Sequence, residues 1–215
     1  MKRFYVLLAL LSAFVFSVEL PAQGADKRAE RIVSTTVARL KRSPLKCDFS
    51  LVYYDGRNQT NEVQKGHFIM DAEKLRLTMS GIETIFDGKT QWVYMASNNE
   101  VTITEPTPEE MKDISPIVMI DYYTADHRIV MDAEASNDEY AVINFYPVDL
   151  SEAEYFRISL KVKKESELPV KLVIWQRNAD TITFNWENIE PVKVDGDSFS
   201  FRQEEYPNVV VNDLR

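Results

Sequence analysis

The 215-residue chain carries 34 Asp and Glu against 25 Lys and Arg, a formal net charge of −9. Its bases are interleaved with acids, which argues against nucleic acid as a partner because phosphate binding needs clustered cations. The single cysteine, Cys47, excludes an intramolecular disulfide framework, a CxxC redox pair and a cysteine-rich zinc site, so stability must come from packing.

The chain opens with the layout of a secretory signal: Lys2 and Arg3, then an apolar stretch over residues 6–18, then Glu19 and Pro21. That stretch is shorter than the roughly 20 apolar residues of a membrane-spanning helix. Ala22-Gln23-Gly24 offers small residues for cleavage, so residues 1–24 are expected to be a removed signal and 25–215 a single domain. Cys47 lies too far along to be a lipidated first residue, and a soluble mature protein follows. Its acidic surface is expected to keep it off anionic headgroups.

Over residues 26–40, Ala29, Ile32, Val33, Thr36, Val37 and Leu40 recur at helical spacing, which predicts one amphipathic helix, capped by Asp26 and ended by Ser43-Pro44. Beyond Pro44 the period becomes two. Leu75, Leu77 and Met79 alternate with polar residues, as do Phe156, Ile158, Leu160 and Val162, then Ile182, Phe184 and Trp186, then Phe199 and Phe201. About ten such runs are predicted. Asp55-Gly56, Ser80-Gly81, Asp87-Gly88, Asn98-Asn99 and Asp195-Gly196 separate them as turns, which implies antiparallel hairpins in a meander. Residues 104–127 break the pattern. Thr107 and Ser115, each before a proline, predict the caps of one or two short helices.

Little points to catalysis. His67 and His127 stand far apart with no HxxxH or HExxH frame, and no GxSxG elbow, phosphate loop or GxGxxG exists in a chain of six glycines. Glu109, Glu110 and Asp113, or Glu204 and Glu205, fit solvated turns and helix starts better than a glycosidase pair. Alternation of Cys47 with Leu45 and Phe49 predicts a buried structural thiol. What remains is apolar sheet surface. Trp92 and Tyr94 share one side of a strand, and Val93 and Met95 the other. Periodicity accommodates either a helix or a ligand against that sheet.

The segment Ile85-Phe86-Asp87-Gly88-Lys89-Thr90-Gln91-Trp92-Val93-Tyr94 resembles a hairpin of the LolA-type periplasmic lipoprotein carriers. Gly66-His67-Phe68, Leu75-Arg76-Leu77, the run from Ser115-Pro116 to Ile120, Pro169 and the closing Asp213-Leu214-Arg215 follow in that family's order. The resemblance implies a curved antiparallel sheet forming an incomplete, half-open β-barrel. Its amino-terminal helix and short lid helices would enclose an apolar cavity for acyl chains. The implied cavity face is Phe49, Leu51, Phe68, Met70, Leu75, Leu77, Met79, Trp92 and Tyr94, with Ile117 and Met119 from the lid. It also implies a periplasmic, monomeric, non-enzymatic carrier without cofactor or metal, which ferries lipoproteins between an inner-membrane releasing complex and an outer-membrane acceptor. Asp71 occupies the place of a family arginine that latches the lid, so closure is expected to rest on other contacts. A carrier or sensor of another lipid, and an envelope protein-binding module, remain as alternatives.

Overall fold

The computed structural model describes residues 22–112, 114–151 and 153–215. The predicted signal, residues 1–24, lies outside the described residues except for its last three. Helix α1 (Ala22–Lys41) is longer than the spacing predicts, so Asp26 lies within it and does not cap it. Ala29, Val33, Thr36, Val37 and Leu40 are buried along one stripe, as a helix turning 100° per residue requires.

Twelve strands form one sheet in the order β12-β6-β5-β4-β3-β2-β1-β11-β10-β9-β8-β7. The first meander comprises β1 (Leu45–Asp55), β2 (Thr60–Asp71), β3 (Lys74–Met79), β4 (Ile82–Phe86), β5 (Gln91–Met95) and β6 (Glu100–Thr104). The second comprises β7 (His127–Met131), β8 (Tyr140–Pro147), β9 (Tyr155–Lys163), β10 (Leu168–Gln176) and β11 (Thr181–Pro191). Pairing of β11 with β1 joins them. The sheet ends at β12 and β7 and is not closed into a barrel.

Local chemistry explains the turns. Ser80 and Gly81 both adopt positive φ, 53° and 80°, as a two-residue hairpin demands. The Asp87 carboxylate accepts from the backbone N–H groups of Lys89 and Thr90. Between the meanders, α2 (Pro108–Met111) and α3 (Pro116–Tyr122) start from Thr107 and Ser115. Thr107 forms a full capping box with Glu110, and the Ser115 hydroxyl accepts from the Val118 N–H.

Three expectations need correction. Residues 198–201 are a turn, not a strand: Ser198 Oγ donates to Asp195 and Ser200 Oγ to the Asp197 carbonyl, and these local bonds outcompete a ladder. Phe156 leaves the inner face because the β9–β10 register shifts between Trp175 and Gln176. The sheet is antiparallel except at one edge, where β12 (Val210–Asp213) pairs parallel with β6.

The segment connecting β11 to β12 crosses the outer face of β3–β6. There Arg76 Nε donates to Glu83 Oε1 at 2.7 Å, the Tyr206 hydroxyl donates to Glu83 Oε2 at 2.6 Å, and the Tyr206 ring packs on Tyr94 and Phe201. Ile85, Val101, Ile103, Phe199 and Val209 are buried on this side. The main core lies on the other side, between α1, α3 and the inner face.

Candidate functional site

Antiparallel partners share a face, so the register assigns every strand residue to one side. Phe49 pairs with Gly66, Gly66 with Met79 and Met79 with Ile82, while Leu77 pairs with Phe68 and Thr84. On the closing side, Leu51 pairs with Phe184 and Phe184 with Leu172. These rows curve under the α2–α3 segment and leave a cavity of about 370 Å³. Its wall is Phe49, Leu51, Leu77, Met79, Ile82, Thr84, Leu172, Ile174, Ile182 and Phe184 from the sheet. Lys112, Ile114, Ser115, Met119 and Tyr123 complete it from the lid. Among the described residues, Lys112 is the one charged side chain in this wall. Its ammonium lies 4.4 Å from the centroid of the Tyr122 ring and 3.6 Å from Glu109.

Of the residues singled out in the sequence, Phe49, Leu51, Leu77, Met79 and Met119 meet around this cavity. Phe68, Met70, Leu75 and Ile117 do not line it; they are almost wholly buried in the adjoining core. Trp92 and Tyr94 lie on the opposite side of the sheet. Trp92 pairs with Ile85 and Tyr94 with Glu83, both outer-face positions, whereas Val93 pairs with the cavity residue Thr84. Alternation identified the two sides of β5 correctly but could not say which was concave. The wall residues from β10 and β11 were missed because they reach the site through the nonlocal β1–β11 pairing, and those of the α2–α3 turn because the packing of the short helices over the sheet is equally nonlocal. Their signal was nonetheless present in the alternation of Ile182 with Phe184 and of Leu172 with Ile174.

The α3 helix is tied to α1. Asp71 ends β2 opposite Lys74. The Lys41 ammonium of α1 instead reaches the Asp121 carboxylate of α3 at 2.9 Å, and Met111, Ile117 and Ile120 are buried beneath the lid. Next to the lid, His127 Nδ1 lies 2.6 Å from the Ala125 carbonyl oxygen and therefore donates to it; His127 Nε2 then accepts from the Tyr155 hydroxyl at 2.9 Å. Burial pushes the Tyr155 phenol up to about 12.

Cys47 is buried, and its thiol contacts the carbonyl oxygens of Asp48 and Glu187 at 2.9 and 3.3 Å. Burial raises its pKa to about 12, so it carries no thiolate near neutrality. Among the described residues no group of three or more His, Cys, Asp or Glu could hold a metal ion. No helix of these residues is long and apolar enough to cross a membrane. The arrangement offers apolar enclosure.

The crystal structure of an uncharacterized conserved protein from Thermus thermophilus superposes with a TM-score of 0.60 at 12% identity, over 86% of this chain and 99% of that one. A LolA superfamily protein from Nitrosomonas europaea aligns over 80% of this chain and 97% of its own, with a TM-score of 0.46 and 11% identity. A putative outer membrane lipoprotein-sorting protein domain from Vibrio parahaemolyticus gives 0.45 and 10% over 81% and 97%. A search of curated protein sequences finds none that matches. The family described as outer membrane lipoprotein carrier protein LolA matches residues 50–161, and the chain belongs to that family.

Proposed function

We propose that the protein is a periplasmic carrier that takes acyl chains of lipoproteins into the cavity beneath α2 and α3 and moves them from the inner to the outer membrane. One observation carries this reading: an almost wholly apolar cavity lies between a curved sheet and two short helices in a member of the LolA family. Its volume, about 370 Å³, falls toward the lower end of the ~300–1,000 Å³ of ligand pockets. Burying about ten methylenes would contribute roughly 8 kcal/mol before the cost of ordering the chain. Met79 and Met119 can adapt to a ligand of no fixed shape. The lipoprotein would be handed over by an inner-membrane releasing complex and passed to an outer-membrane acceptor.

A second reading, a carrier of a free amphiphile with an anionic head, is favoured by Lys112 in the cavity wall. Mass spectrometry of the protein purified from its native cells separates the two. Co-purifying lipoproteins support the first reading, whereas free lipid with lipoproteins repeatedly absent supports the second. Recovery of neither contradicts both.

A further inference from the structure

The charge of this acidic chain is not spread evenly. On the outer face, from β2 and β1 across the second meander, one row runs Val63, Val52, Thr183, Val173, Ser159, Asn144 and Val130 over seven strands. Beside it lie a row of Lys65, Ser50, Asn185, Lys171, Lys161 and Val142 and a row of Tyr54, Thr181, Trp175 and Arg157. These three rows contain four cations and no carboxylate. At the β7 edge Arg128 extends the set opposite Tyr146.

Three cations lie over aromatic rings: Lys161 over Tyr140 at 4.0 Å, Arg157 over Trp175 at 4.7 Å and Arg128 over Tyr146 at 4.9 Å. The ion pairs of the described residues involve none of Lys65, Arg128, Arg157, Lys161 or Lys171. Carboxylates border these rows: Asp180, in the outer groove, accepts from Tyr53, the Gly56 N–H and Asn178; Asp132, close enough to Arg157 to attract it, accepts from Asn144 and the Ala135 N–H; Asp48 accepts from Asn188, and Asp149 accepts from Ser151. Arg157 Nε and the Trp175 indole N–H are buried without a hydrogen-bond partner.

Apolar side chains flank this face where the strands end. Val148 is 74% exposed, Leu150 51% and Phe156 45%. Phe156 shares an outer groove with Trp175, Val173 and Tyr54. The loop carrying Val148 and Leu150 is tied to the β10–β11 hairpin through the Arg177 N–H on the Glu154 carbonyl and the Arg177 guanidinium on the Leu150 carbonyl. Cations together with Trp, Tyr and exposed aliphatic groups match the chemistry of the bilayer interface. An acidic peptide would be served by the cations alone and would leave the apolar rim unused.

We infer that this face docks the protein on an anionic phospholipid bilayer, with Lys161, Lys171, Arg157 and Arg128 over the headgroups and Phe156, Leu150 and Val148 at the acyl boundary. The net charge of −9 opposes docking at long range, as the expectation from composition has it, so the inference rests on the local charge of this face. At about 0.1 M salt, screening confines each charge to a reach of about 10 Å, so the nearest residues decide the sign. The inference stands whether or not the cavity takes an acyl chain.

Flotation with vesicles tests it. The protein should float with phosphatidylglycerol-containing vesicles at about 0.1 M salt, stay behind with pure phosphatidylcholine vesicles, and detach as salt rises further. Lys161→Glu with Lys171→Glu should weaken binding at least about tenfold, because each reversal removes a headgroup attraction and adds a repulsion. Leu150→Ser should weaken it at unchanged salt dependence. Arg28→Glu with Arg31→Glu on α1 should bind as the wild type does. Circular dichroism melts establish that each variant is folded, and the wild-type salt series needs no variant. No preference for anionic vesicles, undiminished binding by the folded Lys161/Lys171 variant, or an equal loss in the α1 variant would overturn the inference. An acyl-probe titration on the same samples reports the cavity separately.

Discussion

Gly66 lies directly opposite Phe49 in the β1–β2 ladder, and its missing side chain gives the Phe49 ring its place: a Cβ there would sit 2.6 Å from Phe49 Cζ and 2.4 Å from the Thr78 carbonyl oxygen. The ring is thereby free to stack on Phe184 at 4.9 Å and 11°, which joins the two meanders along the cavity wall. Gly66→Ala should cost about 1–3 kcal/mol through overpacking. Thermal melts should show a lower midpoint, and ligand uptake should fall with it because the same ring lines the cavity.

The Tyr206 hydroxyl holds the β11–β12 connection to the Arg76–Glu83 pair. Tyr206→Phe leaves a half-buried carboxylate one donor short and should cost about 1.5–3 kcal/mol. Limited proteolysis should then cut within residues 192–209 sooner than in the wild type. Burial, then the bond to Glu83, pushes the Tyr206 phenol up to about 12 from the ordinary 10. The folded state therefore retains this proton longer than the unfolded state. Its stabilisation is complete below pH 10 and declines as the pH rises toward 12. Phenolate absorbance from Tyr155 and Tyr206 should appear only as the pH rises toward about 12.

Cys47 should resist alkylation at neutral pH and react only on unfolding, because burial leaves no thiolate. Iodoacetamide labelling followed across a urea titration should track the unfolding curve. Labelling of the native protein at the unfolded rate would contradict the structural role of this thiol.

Lys41→Ala removes the contact between α1 and the Asp121 carboxylate of α3. Both partners are more than a third exposed, so the stability cost should stay below about 1 kcal/mol. Exchange of a bound fluorescent fatty acid should nevertheless accelerate if this contact restrains the lid. An unchanged exchange rate would place lid restraint in Met111, Ile117 and Ile120.

The features legible in the sequence are those decided by neighbouring residues. Thr107 and Ser115 announce the lid helices because a hydroxyl before proline can cap a helix only there. Ser80-Gly81 and Asp87-Gly88 announce hairpins because their own conformations make the turns. Features that depend on distant pairing were not legible. Alternation at Trp92 is the same whichever side faces the cavity, and only the pairing with Ile85 settles it. Phe199 and Phe201 alternate with serines as a strand would, yet Asp195 and Asp197 bind those serines locally. Ile182 and Phe184 became cavity residues only when β11 met β1. Charge segregation across the outer face likewise required the register.

Leu75 and Leu77 lie on one face of one strand, two residues apart; Leu75 is sealed in the core and Leu77 lines the cavity. The most direct test of the carrier reading compares Leu75→Glu with Leu77→Glu by thermal melting and by titration with a fluorescent fatty acid. The wild type should bind the probe saturably. Leu77→Glu should remain folded and lose binding, because its carboxylate can keep water in the cavity. Leu75→Glu should not fold, because a buried unpaired charge has no such refuge. Unfolding of both variants, or undiminished probe binding by a folded Leu77→Glu protein, would contradict the cavity's role as the acyl site.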